Sequence, residues 1–257
     1  MDELATKVID IIYAAAIKIK EQLKTKKLVV STKSSRTDFV TNLDTQIQGF
    51  IIDEFMKVNH GYQVLAEEGS YNTLNELTGK VLIIDPIDGT NNLILERQNF
   101  CIMVALYENG EGKYGFIYDV MADNLLWGGP EVGIHYNEGK IRSVPNLPLS
   151  EGLVGFNSAI YRRNAYRAHQ IGDESLGVRM SGCAGYELMN LALGRRVAYI
   201  SNLQPWDYAA GKVILETLGL KVTNIYGNAL KLKDRELFIA ATPLAHERIL
   251  ELIDSIK

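Results

Sequence analysis

Cysteine is scarce in this chain: Cys101 and Cys183 are the only two among 257 residues. They lie far apart in sequence, which excludes a small disulfide scaffold and points to a reducing compartment, the cytoplasm. No Cys/His pair has zinc-site spacing, and His60, His135, His169 and His246 are scattered. No basic tract of the kind that tracks a nucleic-acid backbone is present and the net charge is −4, so no nucleic-acid partner is expected. No apolar run approaches the roughly 20 residues needed to cross a bilayer. The opening Met1-Asp2-Glu3-Leu4 lacks a signal peptide's basic region, so no membrane is expected either. A GxSxG elbow is also missing, and with it one common covalent nucleophile. What is present is ordinary: 47% hydrophobic and 23% charged residues, enough to bury a full core.

Apolar residues at Leu4, Val8, Ile11, Ile12, Ala15, Ile19 and Leu23 form a helical stripe. A strand is expected at Leu28 to Ser31 and a second helix from about Thr41 to Lys57. Beyond residue 100 the pattern turns to strands, Phe100 to Tyr107, Gly112 to Tyr118 and Leu125 to Gly128, with Asn109-Gly110 as a hairpin turn. Pro145 and Pro148 mark a joint. After it come strands at Leu153 to Phe156, Val197 to Ile200 and Leu237 to Ala241. Helices are expected near 160 to 170, from Gly185 to Leu193, from Asp207 to Leu218 and from Pro243 to Ile256. This order reads as a layered α/β (α+β) protein. It is expected to form a single domain over 1–257, with halves of roughly 1–145 and 146–257.

The most informative stretch is Val81-Leu82-Ile83-Ile84-Asp85-Pro86-Ile87-Asp88-Gly89-Thr90. Four apolar residues read as a buried strand that ends where two carboxylates follow. Pro86 forbids a helix there, and Gly89 permits a tight turn into Thr90-Asn91-Asn92. Carboxylates attract a hard divalent cation and free N–H groups attract phosphate, so the corner suggests phosphoryl chemistry. A surface turn whose Asp residues cap a helix is the plainer alternative for an isolated DxxD.

The string resembles the DP(I/L)DGT signature of the inositol monophosphatase family of metal-dependent sugar phosphatases. Three further segments resemble the same family in order: Ala66-Glu67-Glu68 (GEE), Trp206-Asp207-Tyr208-Ala209-Ala210-Gly211 (WDxAxG), and Lys33 to Asp44 (KSSxxDLVTxxD). The resemblance implies an αβαβα five-layer sandwich, a homodimer, and two or three Mg²⁺ ions per subunit. It implies that Glu67, Asp85 and the Ile87 carbonyl hold one ion, and Asp85, Asp88 and Asp207 a second. It further implies that Thr90 and Asp44 activate the attacking water and that Lys33 lies on a mobile loop by the site. Asp88, Gly89, Thr90 and Asp207 would contact the substrate, and lithium would inhibit. Phosphate monoesters need such help because their anionic oxygens repel a weak nucleophile.

The sequence departs from the family on the substrate side. Inositol-specific members carry a Glu before the final WD, whereas Val197 to Pro205 contains no acid. The family's Gly-x-Ala-Ala turn reads Gly182-Cys183-Ala184-Gly185. The expected partner is therefore a small phosphate ester: inositol 1-phosphate, with the 2′-phosphate of NADP or another sugar or nucleotide phosphate as alternatives. A metal-binding regulatory protein without turnover is the alternative from another class.

Overall fold

The computed structural model describes residues 2–25, 30–32, 39–74 and 78–254. In chain order its elements are α1 (Glu3–Thr25), β1 (Val30–Thr32), β2 (Phe39–Thr41), α2 (Asn42–Val58), β3 (Tyr62–Ala66), β4 (Lys80–Asp88) and α3 (Thr90–Leu95). Five strands follow: β5 (Cys101–Glu108), β6 (Glu111–Asp119), β7 (Asn124–Gly129), β8 (Gly133–Tyr136) and β9 (Gly139–Ile141). Next come β10 (Leu153–Phe156), α4 (Ser158–Arg162), α5 (Ala168–Glu174), β11 (Gly177–Arg179) and α6 (Ala184–Ala192). The last are β12 (Ala198–Leu203), α7 (Pro205–Thr217), β13 (Lys221–Asn224), β14 (Glu236–Ala241) and α8 (Pro243–Asp254).

Seven strands form one sheet in the order β3-β4-β5-β6-β7-β8-β9, and five form another in the order β11-β10-β12-β14-β13. The apolar run of β4 serves two faces at once. Val81 and Ile83 join a core shared with α6, α7 and the inner face of the five-stranded sheet, including Tyr199 and Phe238. Leu82 and Ile84 join the core under α1 and α2. That is the period-2 alternation of a strand covered on both sides. The outer face of the second sheet packs Val154, Ile200 and Ile239 against Ile249 and Leu252 of α8. The layers therefore run helix, sheet, helix, sheet, helix, as the resemblance implies.

Several boundaries differ from the sequence expectation. The helix expected near 160 to 170 is broken into α4 and α5, with Asn164, Tyr166 and Arg167 at positive φ between them. Helix α7 begins at Pro205 rather than Asp207, because proline suits the first helical position. Strand β4 does not end at Asp85. It continues to Asp88 through an irregularity, with Asp85 opposite Met103 and Asp88 opposite Cys101. Two residues, Pro86 and Ile87, thus oppose the single Ile102, and a bulge is where a sheet tolerates proline.

Candidate active site

The site forms where β3 and β4 leave the larger sheet. These strands are parallel, and their register pairs Ala66 with Ile84. The next residues, Glu67 and Asp85, therefore emerge side by side. Gln48 of α2 fixes the exit of β3: its Nε2 donates to the Glu68 carbonyl at 2.8 Å and its Oε1 accepts from the Glu68 N–H at 2.8 Å. Asp85 Oδ1 accepts from the Ile87 N–H at 3.0 Å across the bulge. Gly89 then turns the chain in the left-handed region, at φ 90°, and α3 starts at Thr90.

Asp44 divides its two oxygens between the α2 cap and Thr90. Oδ2 accepts from the Thr41 N–H at 2.8 Å and the Thr41 hydroxyl at 2.5 Å, capping α2. Oδ1 stands 3.1 Å from Thr90 Oγ1, which also lies 3.2 Å from the Ile87 carbonyl. The Thr90 proton is thereby directed inward, leaving its lone pairs as acceptors. Asp44 is fully buried.

Asp88 meets the second half of the chain. Its Oδ1 accepts from the Ala184 N–H at 3.2 Å, and its Oδ2 accepts from the Gly185 N–H and from Cys183 Sγ, the latter at 3.1 Å. This explains the altered turn. A Cβ at Gly185 would stand 3.1 Å from Asp88 Oδ2, 3.0 Å from Met103 Sδ and 3.1 Å from Cys101 Cβ. Asp207 sits in the first turn of α7, where its Oδ2 accepts from the Gln204 N–H at 2.8 Å. It caps the helix from within rather than as the N-cap residue, and one oxygen is used in doing so.

Glu67, Asp85, Ile87, Asp88, Gly89, Thr90 and Asp207 all line one cleft of about 710 Å³. Burial pushes the Asp85 carboxyl well above the usual carboxylate range, and the charges of Glu67, Asp88, Asp207 and Asp44 push the same way. Burial also raises Asp207 strongly, reinforced by Asp88 and Glu67. For Asp88 burial wins over the opposing hydrogen bonds from Gly185, Cys183 and Ala184. Among the described residues, no three His, Cys, Asp or Glu side chains are drawn into a closed ligand set. The fit to a dication rests instead on hard oxygen donors crowded in a dry corner, whose mutual repulsion a cation relieves. Lys33 lies outside the described residues. Asp44 reaches the cleft through Thr90.

Sequence reasoning missed Glu187, Tyr199 and Arg235, which line the same cleft as Ser201. A Glu amid the apolar residues of 184–192 was the one visible signal. A larger hollow of about 1110 Å³, between α1 and the strands at Tyr118 and Trp127, contains none of the candidate metal, catalytic or substrate residues.

The inositol monophosphatase family model matches residues 1–257. The chain is 37% identical over 230 residues to an inositol-1-monophosphatase of Bacillus subtilis, covering 87% of this chain and 86% of that one. The fold superposes on a staphylococcal inositol monophosphatase-1 soaked in LiCl, described as an inhibitory complex, with TM-score 0.90 and 28% identity over 98% and 96% of the two chains. An IMPase/NADP phosphatase solved with Mg²⁺ and phosphate matches with TM-score 0.86 and 30% identity, covering 98% and 96%. The carboxylate corner thus sits in a scaffold shared along its whole length with phosphate-ester hydrolases, and the chain belongs to the inositol monophosphatase family as a phosphoric monoester hydrolase.

Proposed function

We propose that the chain is a Mg²⁺-dependent phosphomonoesterase that hydrolyses inositol 1-phosphate and other small phosphate esters, the 2′-phosphate of NADP foremost among them. The observation that carries this reading is the convergence of Glu67, Asp85, Asp88 and Asp207 on one cleft beside the Asp44–Thr90 hydrogen bond. Glu67, Asp85 and the Ile87 carbonyl would hold one ion, and Asp85, Asp88 and Asp207 another. The oxygens already engaged in hydrogen bonds keep further lone pairs for this. When bound, Mg²⁺ supplies charge stabilisation for the phosphoryl oxygens and acidifies bound water.

The residues themselves do the rest. Thr90 accepts a proton from the attacking water and passes its own to Asp44, so the pair orients the nucleophile and takes its proton. The N–H groups of Gly89 and Thr90 hold phosphate oxygens, with Asp88 and Asp207 alongside. A mechanism by direct attack of water agrees with the lack of a Cys–His pair or nucleophile elbow. The solved relatives with Mg²⁺ and phosphate, and with LiCl, support the metal and its inhibition by lithium.

The chain is taken to act as one unit with halves near 1–145 and 146–257, which the core shared by both sheets supports. A homodimer follows from the family resemblance. Two free buried thiols suit the cytoplasm. No helix among the described residues is long and apolar enough to cross a membrane.

The test is phosphate release from inositol 1-phosphate, NADP, fructose bisphosphate and adenosine bisphosphate, with and without Mg²⁺ and with rising Li⁺ against Na⁺. Release of phosphate from inositol 1-phosphate and at least one other substrate is expected, lost on chelation and suppressed by Li⁺. Turnover that survives thorough chelation would refute the metal-dependent reading.

A further inference from the structure

The cleft contains a carboxylate that the chemistry above does not use. Glu187 lies on α6 one turn beyond the Ala184 and Gly185 amides that bind Asp88. Long helical side chains lean back over the preceding turn, so Glu187 is carried toward the metal-binding corner rather than away from it. Its side chain is 2% exposed and forms part of the cleft wall beside Tyr199 and Ser201. The wall is built around it: a Cβ at Gly155 would come within 2.7 Å of Glu187 Oε2.

The two oxygens of this carboxylate differ. Oε2 accepts from Arg196 Nε at 2.9 Å. Oε1 is buried and has no hydrogen-bond partner. Buried acceptors are almost always paired, so an orphaned oxygen in a binding cleft marks a place for a donor from a ligand. An ion pair that served packing alone would not require its second oxygen to be left unpaired.

The donor follows from the chemistry of the ester. The phosphate end carries only negative charge and is held at the Asp85 corner. The alcohol end of inositol phosphates and of ribose phosphates carries hydroxyl groups, which donate to carboxylates. The strand before Trp206, where inositol-specific relatives place an acid, has none, and Ser201 faces the cleft there instead. We propose that Glu187, positioned by Arg196, is the acceptor that recognises hydroxyls on the alcohol side of the substrate. Substrate discrimination is thereby moved from β12 to α6. This rests on the phosphomonoesterase reading and adds to it a specificity residue and a substrate class, the polyol phosphates.

The experiment crosses enzyme variants with substrates. Wild type and Glu187→Gln are assayed on inositol 1-phosphate, adenosine 2′-phosphate and 4-nitrophenyl phosphate, the last having no hydroxyl on its leaving group. Glu187→Gln is expected to raise KM about 10-fold for whichever of the two polyol esters the enzyme uses, with kcat little changed. Its kcat/KM for 4-nitrophenyl phosphate should stay within about 2-fold of wild type. A loss confined to inositol 1-phosphate would identify a cyclitol site, and one confined to adenosine 2′-phosphate a ribose site. Equal losses on all three esters would reduce Glu187 to a structural ion pair, and no loss on any would remove it from the binding site. Either result overturns the proposal. Should Glu187→Gln fail to fold, Glu187→Asp keeps the charge facing Arg196 and is read in the same way. A wild-type enzyme that hydrolyses none of the three would refute the function itself, a distinct outcome.

Discussion

The two sides of the cleft are built on opposite plans. The β4 side is continuous: Asp85, Ile87, Asp88, Gly89 and Thr90 arrive within one bulged strand end and its turn. The α6–β12 side is assembled from three separate stretches of chain: Glu187 on α6, Tyr199 and Ser201 on β12, and Arg235 just before β14. Reaction chemistry needs fixed distances between few atoms, and a short covalent segment supplies them. Recognition of an alcohol needs only a surface with donors and acceptors facing inward, which many arrangements provide. The first side is thus constrained residue by residue, while the second leaves room for other arrangements of donors and acceptors.

The sharpest way to break this contrast is at its centre. Asp85→Asn should abolish turnover, since it removes charge from the carboxylate most crowded by its neighbours. The same change should raise Tm in chelator by about 2–4 °C, the shift that ~1 kcal/mol of relieved repulsion gives a chain of this size. Phosphate release and a melting curve check both signs. Next in size, Thr90→Ala should lower kcat about 10²-fold with a smaller effect on KM. Asp44→Asn should match it, and the double variant should be scarcely worse, because the two act through one hydrogen bond. Asp44→Asn alone should also cost ~1 kcal/mol of stability by weakening the α2 cap, read from denaturant melts.

Gly185→Ala tests whether the two sides are joined as tightly as the Asp88 contacts indicate. Overpacking against Asp88 and Met103 should destabilise by about 1–3 kcal/mol and reduce kcat/KM, with urea melts and kinetics as readouts. The smallest effect belongs to the α6–β12 side. Ser201→Glu should shift kcat/KM toward inositol 1-phosphate by a few-fold, a gain of about 1 kcal/mol or less. Ile200 is not a second position for this change, because it faces the outer core beneath α8.

The same contrast explains what the sequence reveals. The helical stripe of α1, the hairpin at Asn109-Gly110 and the Asp85–Thr90 corner are local patterns, so they are legible without a structure. The bulge is not, because it exists only relative to Ile102 on β5. Edge strands β11 and β13, Gly177–Arg179 and Lys221–Asn224, are short and lack apolar alternation. The break between α4 and α5 depends on left-handed Tyr166 and Arg167, residue types that carry no such signal. Glu187 reads as an ordinary helical glutamate until tertiary contacts bury it. Contact between the Cys183 turn and Asp88 joins residues almost a hundred positions apart, and no spacing rule announces it.

One helix ties Asp44 and its Thr90 contact to the strand exit that carries Glu67. Asp44 and Gln48 stand one turn apart on the same face of α2. The first holds Thr90 and the second holds the backbone that follows Glu67. Inserting a single residue between them would rotate one relative to the other by about 100°, so both grips could not be kept. Exchanging outward-facing residues such as Asp53 would leave them untouched. The helix works as a two-toothed key: it engages at both points or the lock does not turn.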